Sequence, residues 1–252
     1  MAFKDHFSRT AQQYTRFRPH YPRALFEFLA TLPGEHGRAW DCGTGSGQAA
    51  VALAEFFDEV VATDPSDRQI AHAQKHPRVA YLVASAEQTP LEDHSVDLVA
   101  AAQALHWFDL ERFYDEARRV ARPTGVLAAW GYELCRIAPP IDSVIWHLYR
   151  EVLGSYWPPE RKVTETRYAT IPFPFPEIPA PDFALAAQWR LDDLIGYLGT
   201  WSSVQQYIER HAANPISAVE SELAAAWGSP DTARQITWPL FLRVGRMNQA
   251  AG

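Results

Sequence analysis

The chain of 252 residues is short of sulfur, with two cysteines, Cys42 and Cys135, and two methionines. Two thiols with no spaced Cys/His set exclude a zinc cluster and a disulfide framework, and both sit in apolar, strand-like runs that read as core. No apolar stretch approaches the roughly 20 residues of a membrane helix. Met1 to Thr10 lacks the continuous apolar centre of a secretory signal. A soluble, cytoplasmic protein is the expectation. Positive charge is also scarce, since 23 Lys and Arg face 30 Asp and Glu, for a formal charge of -7. That sign opposes an electrostatic grip on phosphate backbones, so a nucleic acid partner is not expected. Internal repeats and low-complexity tracts are lacking too, which leaves only Arg246 to Gly252 as a candidate tail.

Apolar and aromatic residues are plentiful. The hydrophobic content of 47% suits one sizeable α/β domain, and many of the nine tryptophans fall after residue 130, where an apolar substrate pocket can use them. Tryptophans 146, 157, 189 and 201 read first as core or cap packing, with Trp201 the exception to watch.

Phe3 to Pro22 reads as a short helix ending in the loop Arg18-Pro19-His20-Tyr21-Pro22. A packing helix follows, with Leu25, Phe26, Phe28, Leu29 and Leu32 at helical spacing and Pro33-Gly34 as its stop. From Arg38 short apolar runs alternate with helices: strands at 38–42, 59–63, 79–83, 96–101 and 126–130, and helices to about Phe57, near 67–75 and near 110–121. Such alternation indicates a parallel sheet with its ligand at the C-terminal strand ends. Arg118, Arg119 and Arg122 read as a solvent-facing helix end. Prolines at 139–140, 158–159, 172, 174 and 176 mark 133–180 as an inserted cap. Regularity returns near 183–191. Two helices then start at the capping-box patterns Ser203-x-x-Gln206 and Ser217-x-x-Glu220, and a last strand covers 236–244.

The sharpest feature is Trp40-Asp41-Cys42-Gly43-Thr44-Gly45-Ser46-Gly47, a strand that ends in a carboxylate and enters three alternating glycines before a helix. Glycines allow a tight turn and close ligand approach, and the following helix start offers N–H groups to an anion. Gly45-Ser46-Gly47-Gln48-Ala49-Ala50 also fits the dinucleotide fingerprint, with Asp64 as its later acid. Asp41 separates the two ligands: it repels a pyrophosphate but suits one that carries an ammonium and a sulfonium, so S-adenosylmethionine is favoured over NAD. Asp64 is placed to accept both ribose hydroxyls. Its bland alternative is a turn and helix cap at Asp64-Pro65-Ser66-Asp67.

The acid-x-G-x-G-x-G loop, Asp64, Ala86-Glu87, and Val96-Asp97-Leu98-Val99 leading to Gln103-Ala104-Leu105-His106-Trp107-Phe108 together resemble class I S-adenosylmethionine-dependent methyltransferases of the methyltransferase type 11 superfamily. Tyr14, Arg18-Pro19 and Tyr21-Pro22, with Thr200-Trp201-Ser202, Trp238-Pro239-Leu240 and Val244-Gly245-Arg246, resemble the branch of the trans-aconitate methyltransferase relatives. The resemblance implies a single Rossmann-like domain over 1–252. Its α/β sheet would have seven strands, the last antiparallel, with helices on both faces. The segment 1–35 would cover the cofactor site and 133–180 the substrate pocket. It further implies that Asp41, Gly43, Gly45 and Gly47 meet the methionine part of S-adenosylmethionine, Asp64 the ribose, and Pro65, Ser66, Ala86 and Glu87 the adenine. Gln103 would lie near the methyl. Ser85 stands where many relatives carry Asp, and can supply only a weaker bond to the adenine amino group.

Methyl transfer from a sulfonium is an in-line displacement, so positioning and exclusion of water dominate. A hydroxyl or amine acceptor needs a base, for which His106 is the natural candidate. A carboxylate acceptor does not, and Tyr14, Arg18, His106 or Tyr132 would then only position it. His106 as base and His106-Trp107 as pocket wall stand about equal. Tyr21, His106, Trp107, Tyr132 and Trp201 are the expected pocket residues. The expected reaction is methylation of a small molecule, with carboxylate or hydroxyl acceptors favoured, and the product S-adenosyl-L-homocysteine. An NAD(P)-dependent oxidoreductase and a non-catalytic cofactor-binding regulator stay open beside it, as do monomer and dimer.

Overall fold

The computed structural model describes Phe17 and residues 19–247, so Tyr14 and Arg18 lie outside the described residues. Element by element the chain runs α1 (Arg23–Ala30), β1 (Arg38–Cys42), α2 (Gln48–Leu53), β2 (Glu59–Asp64), α3 (Asp67–His72), β3 (Val79–Val83) and β4 (Val96–Ala102). It continues with α4 (Leu110–Val120), β5 (Ala121–Tyr132), α5 (Pro139–His147), α6 (Arg161–Glu165), β6 (Phe183–Trp189), α7 (Leu191–Gly199), α8 (Ser202–His211), α9 (Glu220–Trp227) and β7 (Arg234–Arg246).

The strands form one seven-stranded sheet in the order β3-β2-β1-β4-β5-β7-β6. Strands β1 to β5 pair in parallel, while β7 is antiparallel to both of its neighbours. Strand addition changes direction at β1, between β2 and β4, and the loops leaving β1 and β4 diverge there, which opens the crevice where such sheets bind ligands.

Two cores cover the two sheet faces, and strand alternation assigns residues to them. Ala39, Val60, Ala62, Leu98, Ala100, Val126 and Ala128 pack under α1 and α2. Their neighbours Trp40, Val61, Val99, Ala101, Leu127 and Ala129 pack under α4, whose Phe113, Ala117 and Val120 fall at helical spacing. Burial on both faces explains the near-continuous apolar runs of β1, β2 and β4.

Several expectations are corrected here. The helix after the glycine loop stops at Leu53 rather than near Phe57. Strand β5 begins at Ala121, five residues before its apolar run. Neither Ser203 nor Ser217 caps a helix: α8 and α9 start without a side-chain cap. Instead the Asp193 carboxylate accepts the Arg190 backbone N–H at 3.0 Å and starts α7, a helix the sequence reading passed over. Arg119 and Arg122 are not simply solvent-facing either. Arg119 binds Glu116 at 2.7 Å and Asp93 at 2.6 Å. Arg122 reaches the fully buried Asp97 at 3.1 Å and Glu35 at 2.7 Å.

Residues of the segment 133–180 belong to the interior of the fold. Ile141, Ile145, Leu148 and Leu153 join Leu185, Leu194, Leu198, Trp227 and Trp238 in a third core. That core carries β6, β7 and α7 to α9 on the far side of the sheet from β3.

Candidate active site

Strands β1, β2 and β4 end side by side, with Asp41 in register with Ala62 and Ala100. This brings the glycine loop, Asp64 and Gln103 to one edge. The glycine loop folds back on the end of β2: Gly43 and Thr44 both donate their N–H to the Thr63 carbonyl at 2.9 Å. Gly45 N–H donates to Asp64 Oδ2 at 3.0 Å, and Ser66 N–H donates to Asp64 Oδ1 at 2.9 Å. Asp64 therefore shapes the loop as well as facing the crevice. The turn-and-cap alternative is also real, because the Ser66 hydroxyl accepts the Gln69 N–H at 3.3 Å and caps α3.

Gly45, at φ +53°, has left-handed backbone, and a Cβ added there would meet no described atom within 4 Å. Its backbone is thus bare toward the crevice, as close approach of a ligand requires. Gly47, at φ +81°, begins α2, and a Cβ there would strike the Tyr81 hydroxyl at 2.3 Å. Asp41 is fully buried beneath the loop, where the Thr44 hydroxyl donates to its Oδ2 at 2.5 Å. Its Oδ1 lacks a hydrogen bond of good geometry among the described residues, although the Ala50 N–H lies near enough to favour the anion. Burial is the larger effect and lifts this carboxyl to about 7. A buried carboxylate with an under-used oxygen beside bare backbone fits a ligand that carries a cationic group.

The remaining predicted cofactor residues follow the strand ends. Pro65 is exposed and Ala86 buried, while Ser85 forms a bridge with Gln88. Glu87 Oε1 accepts the Asp109 N–H at 3.0 Å, which ties the loop after β3 to the start of α4. Gln103 has left-handed backbone at φ +54° and donates its N–H to the Trp130 carbonyl at 2.8 Å. A Cβ on Gly131 would lie 2.9 Å from Gln103 Oε1 and 2.4 Å from Phe241, so this glycine makes room for the Gln103 side chain.

His106 lies in the short 3-10 turn Leu105–Trp107. Its Nδ1 is 2.9 Å from the hydroxyl of Tyr168, a fully buried residue of the cap. Burial first, and then the Arg161 cation, lower the His106 pKa to about 3. Burial also raises the Tyr168 phenol far above its ordinary value. A neutral imidazole beside an un-ionised phenol shares one hydrogen bond with it, and when the Tyr168 hydroxyl donates, Nδ1 accepts and Nε2 carries the hydrogen.

Arg167 and Tyr168 are both left-handed, at φ +54° and +60°. They are held by Arg243 of β7, which donates to the carbonyls of Tyr168 at 3.1 Å and Ile171 at 2.8 Å. The sequence reading missed Tyr168, and no local pattern marks it, because the contact spans 62 residues.

The predicted pocket residues do not all meet. Tyr132 lines a cavity of about 730 Å³ beyond the end of β5, together with Tyr149, Trp157 and Arg161. Trp201 is buried behind that cavity, edge-on to Tyr149 and 5.5 Å from Trp157 between ring centroids. Tyr21 packs edge-on to Trp130, under the sheet end. His106 and Trp107 form a ring pair 4.8 Å apart. α6 packs directly on their turn.

A family model described as a methyltransferase domain matches residues 40–129, the stretch from β1 into β5. A Dictyostelium discoideum protein named as a methyltransferase is 35% identical over 233 residues, which cover 91% of this chain and 89% of that one. A Saccharomyces cerevisiae protein named as an S-adenosylmethionine-dependent methyltransferase is 30% identical over 128 residues, 47% of this chain and 44% of its own. The solved structure of a candidate type II methyltransferase from Anaeromyxobacter dehalogenans superimposes with a TM-score of 0.88 at 50% identity, covering 93% of this chain and 100% of that one. Its agreement extends through the cap and the C-terminal helices.

Proposed function

Since the chain belongs to the class I S-adenosylmethionine-dependent methyltransferases, we propose that it methylates a small organic acid on a carboxylate oxygen. Family membership removes the NAD(P)-dependent oxidoreductase from contention. When bound, S-adenosylmethionine supplies an electrophilic methyl group on a sulfonium, with a good leaving group. Asp41, Gly43, Gly45 and Gly47 would hold its methionine part, Asp64 its ribose, and Pro65, Ser66, Ser85, Ala86 and Glu87 its adenine. Gln103, pinned at the end of β4, would border the reacting centre.

The observation that carries the choice of acceptor is the state of His106. Its Nδ1 is taken by Tyr168 and its basicity is suppressed to a pKa of about 3. It is therefore a poor proton acceptor at neutral pH, and with Tyr168 donating to Nδ1 it presents Nε2–H as a donor. A hydroxyl or amine acceptor would need a base at this position, whereas a carboxylate needs only orientation. His106 is accordingly a positioning residue that donates to the acceptor, and Tyr168 holds it in that tautomer. Trp107 and the cap exclude water around them. The trans-aconitate branch, which the sequence resembles, supplies small organic acids as the first acceptors to try. A cytoplasmic metabolite as acceptor belongs to the same proposal, and the described residues contain no helix long and apolar enough to cross a membrane.

The test is transfer of labelled methyl from S-adenosylmethionine to pooled organic acids, matched alcohols and matched amines, with hydrolysis of the product in mild base. Base-labile label from the acid pool supports the reading. Transfer to alcohols or amines alone would overturn it. Binding of S-adenosylhomocysteine with no transfer to any pool favours the regulatory alternative.

A further inference from the structure

The cavity beside the candidate active site has a charge balance opposite to that of the whole chain. Five cationic side chains line it, Arg136, Arg150, Arg161, Lys162 and Arg167, against the carboxylates of Glu133, Asp142 and Glu165, although the chain as a whole carries -7. Most of these charges are already engaged. Arg136 and Arg167 share Glu133. Arg150 covers the Trp146 ring, 4.3 Å from its centroid, and Asp142 accepts the Ile137 N–H at 2.8 Å.

Arg150 and Lys162 also lack an ion pair among the described residues but are exposed, whereas Arg161 is half-buried. Its guanidinium lies over two ring faces, 5.4 Å from the centroid of Tyr149 and 5.0 Å from that of Trp157. Its Nε donates to the Tyr149 hydroxyl at 2.8 Å, and that hydroxyl donates on to Glu165 at 2.5 Å. No described residue forms an ion pair with Arg161 or accepts a hydrogen bond from its two terminal nitrogens. A half-buried cation is thus fixed in position with its donor fork unused. Such a fork matches a planar carboxylate in a bidentate arrangement, which is stronger and more directional than a lysine contact. The position is also apt, because α6, which Arg161 begins, packs on the turn that carries His106.

We infer that Arg161 is the carboxylate anchor of the acceptor pocket, and that the acceptor is a flat, unsaturated or aromatic acid packed against Tyr149, Trp157 and Tyr132. The inference rests on the methyltransferase reading of this site and narrows its substrate class. Flatness follows from the anchor, since a conjugated acid held bidentate lies coplanar with a guanidinium that itself stacks on Tyr149 and Trp157.

The experiment compares three acids, benzoate, cinnamate and indole-3-acetate, with their neutral amides on the full chain saturated with S-adenosylhomocysteine. Binding is read by ligand-observed saturation-transfer titration, and cofactor binding separately by thermal shift. At least one acid should bind about tenfold or more tighter than its amide, a difference of about 1.4 kcal/mol. Arg161→Gln should bring the pair within about twofold and leave the cofactor shift unchanged, and Arg161→Lys should keep part of the preference. Equal binding of acid and amide to the native chain would overturn the anchor. So would a preference that survives Arg161→Gln, or failure of all three acids to bind below about 10 mM, where little affinity remains. If Arg161→Gln loses the cofactor shift through misfolding, Arg161→Lys decides: an undiminished acid preference there also overturns the bidentate anchor. Absence of a cofactor shift in the native chain would instead count against the methyltransferase site itself.

Discussion

At the scale of single residues, the crevice is built from groups whose surroundings set their protonation. Burial holds Asp41 up to about 7, against an unfolded value near 3.9. The folded chain then keeps a proton that the unfolded chain loses, so this residue withdraws stability as pH rises from about 4 through 7. A cationic ligand group beside it would reverse that preference. Binding of S-adenosylhomocysteine at pH 7 is therefore expected to release a fraction of a proton, read by calorimetry in buffers of different ionisation enthalpy, and Asp41→Asn should abolish the release. Proton uptake would contradict the account.

His106 acts in the opposite sense. Folded, it titrates near 3, and unfolded near 6.5. Below about pH 6.5 the unfolded chain takes up a proton that the folded chain refuses, so stability present at neutral pH is lost as pH falls toward 3, by up to about 1.4 kcal/mol per pH unit. His106→Gln should flatten that acid limb in denaturant titrations. It should also leave turnover without a new inflection between pH 6 and 8, because a donor rather than a base has been replaced. Gly45→Ala should cost about 1 to 2 kcal/mol for left-handed backbone. Its larger effect should be loss of the thermal shift with S-adenosylhomocysteine, since the new methyl group would project into the open face of the loop.

At the scale of elements, the cap and the strand ends are joined by specific polar contacts. Tyr168 reaches His106 from the cap, Arg243 reaches back from β7 to hold Tyr168 and Ile171, and Glu133 at the end of β5 pairs with Arg167. Tyr168→Phe removes one buried hydroxyl and should cost about 1 kcal/mol in stability. It should also free Nδ1 and let the imidazole rotate. The expected signature is a fall in kcat exceeding any change in the binding of S-adenosylhomocysteine. Equal losses in both would mark Tyr168 as merely structural.

The glycine loop and the acid after β2 were legible from sequence because both are local: a strand, a turn and a helix within about ten residues. The pairing of Gly45 with Asp64 was not, and it alters what Asp64 means. Its carboxylate holds the loop that it was expected only to stand beside. The missed cap of α7 has a similar origin. A Ser-x-x-Glu pattern states what a helix start could use, whereas the caps actually formed depend on where the preceding chain enters.

At the scale of the whole molecule, the segment after β5 belongs to the fold. Ile145, Leu185 and Trp238 lie in one core although they come from α5, β6 and β7. Truncation of Ile145 to Ala should therefore cost about 2 to 5 kcal/mol. Because this core continues through β7 into the parallel sheet, unfolding should show coincident midpoints by tryptophan fluorescence and by far-ultraviolet circular dichroism. Two separate midpoints would show that the cap region folds as an independent unit.

Sequence by itself determined the parallel sheet, the ligand edge, the acid and glycine loop and the family resemblance, since each rests on periodicity or on residues close in the chain. Only tertiary structure decided the pairing of His106 with Tyr168, the unused fork of Arg161, the double duty of Asp64 and the retreat of Trp201 behind the pocket. Those depend on burial and on contacts between residues 19 to 75 positions apart. Local sequence records the chemistry a side chain can perform; which part of that chemistry remains available is set by the neighbours that the fold brings to it.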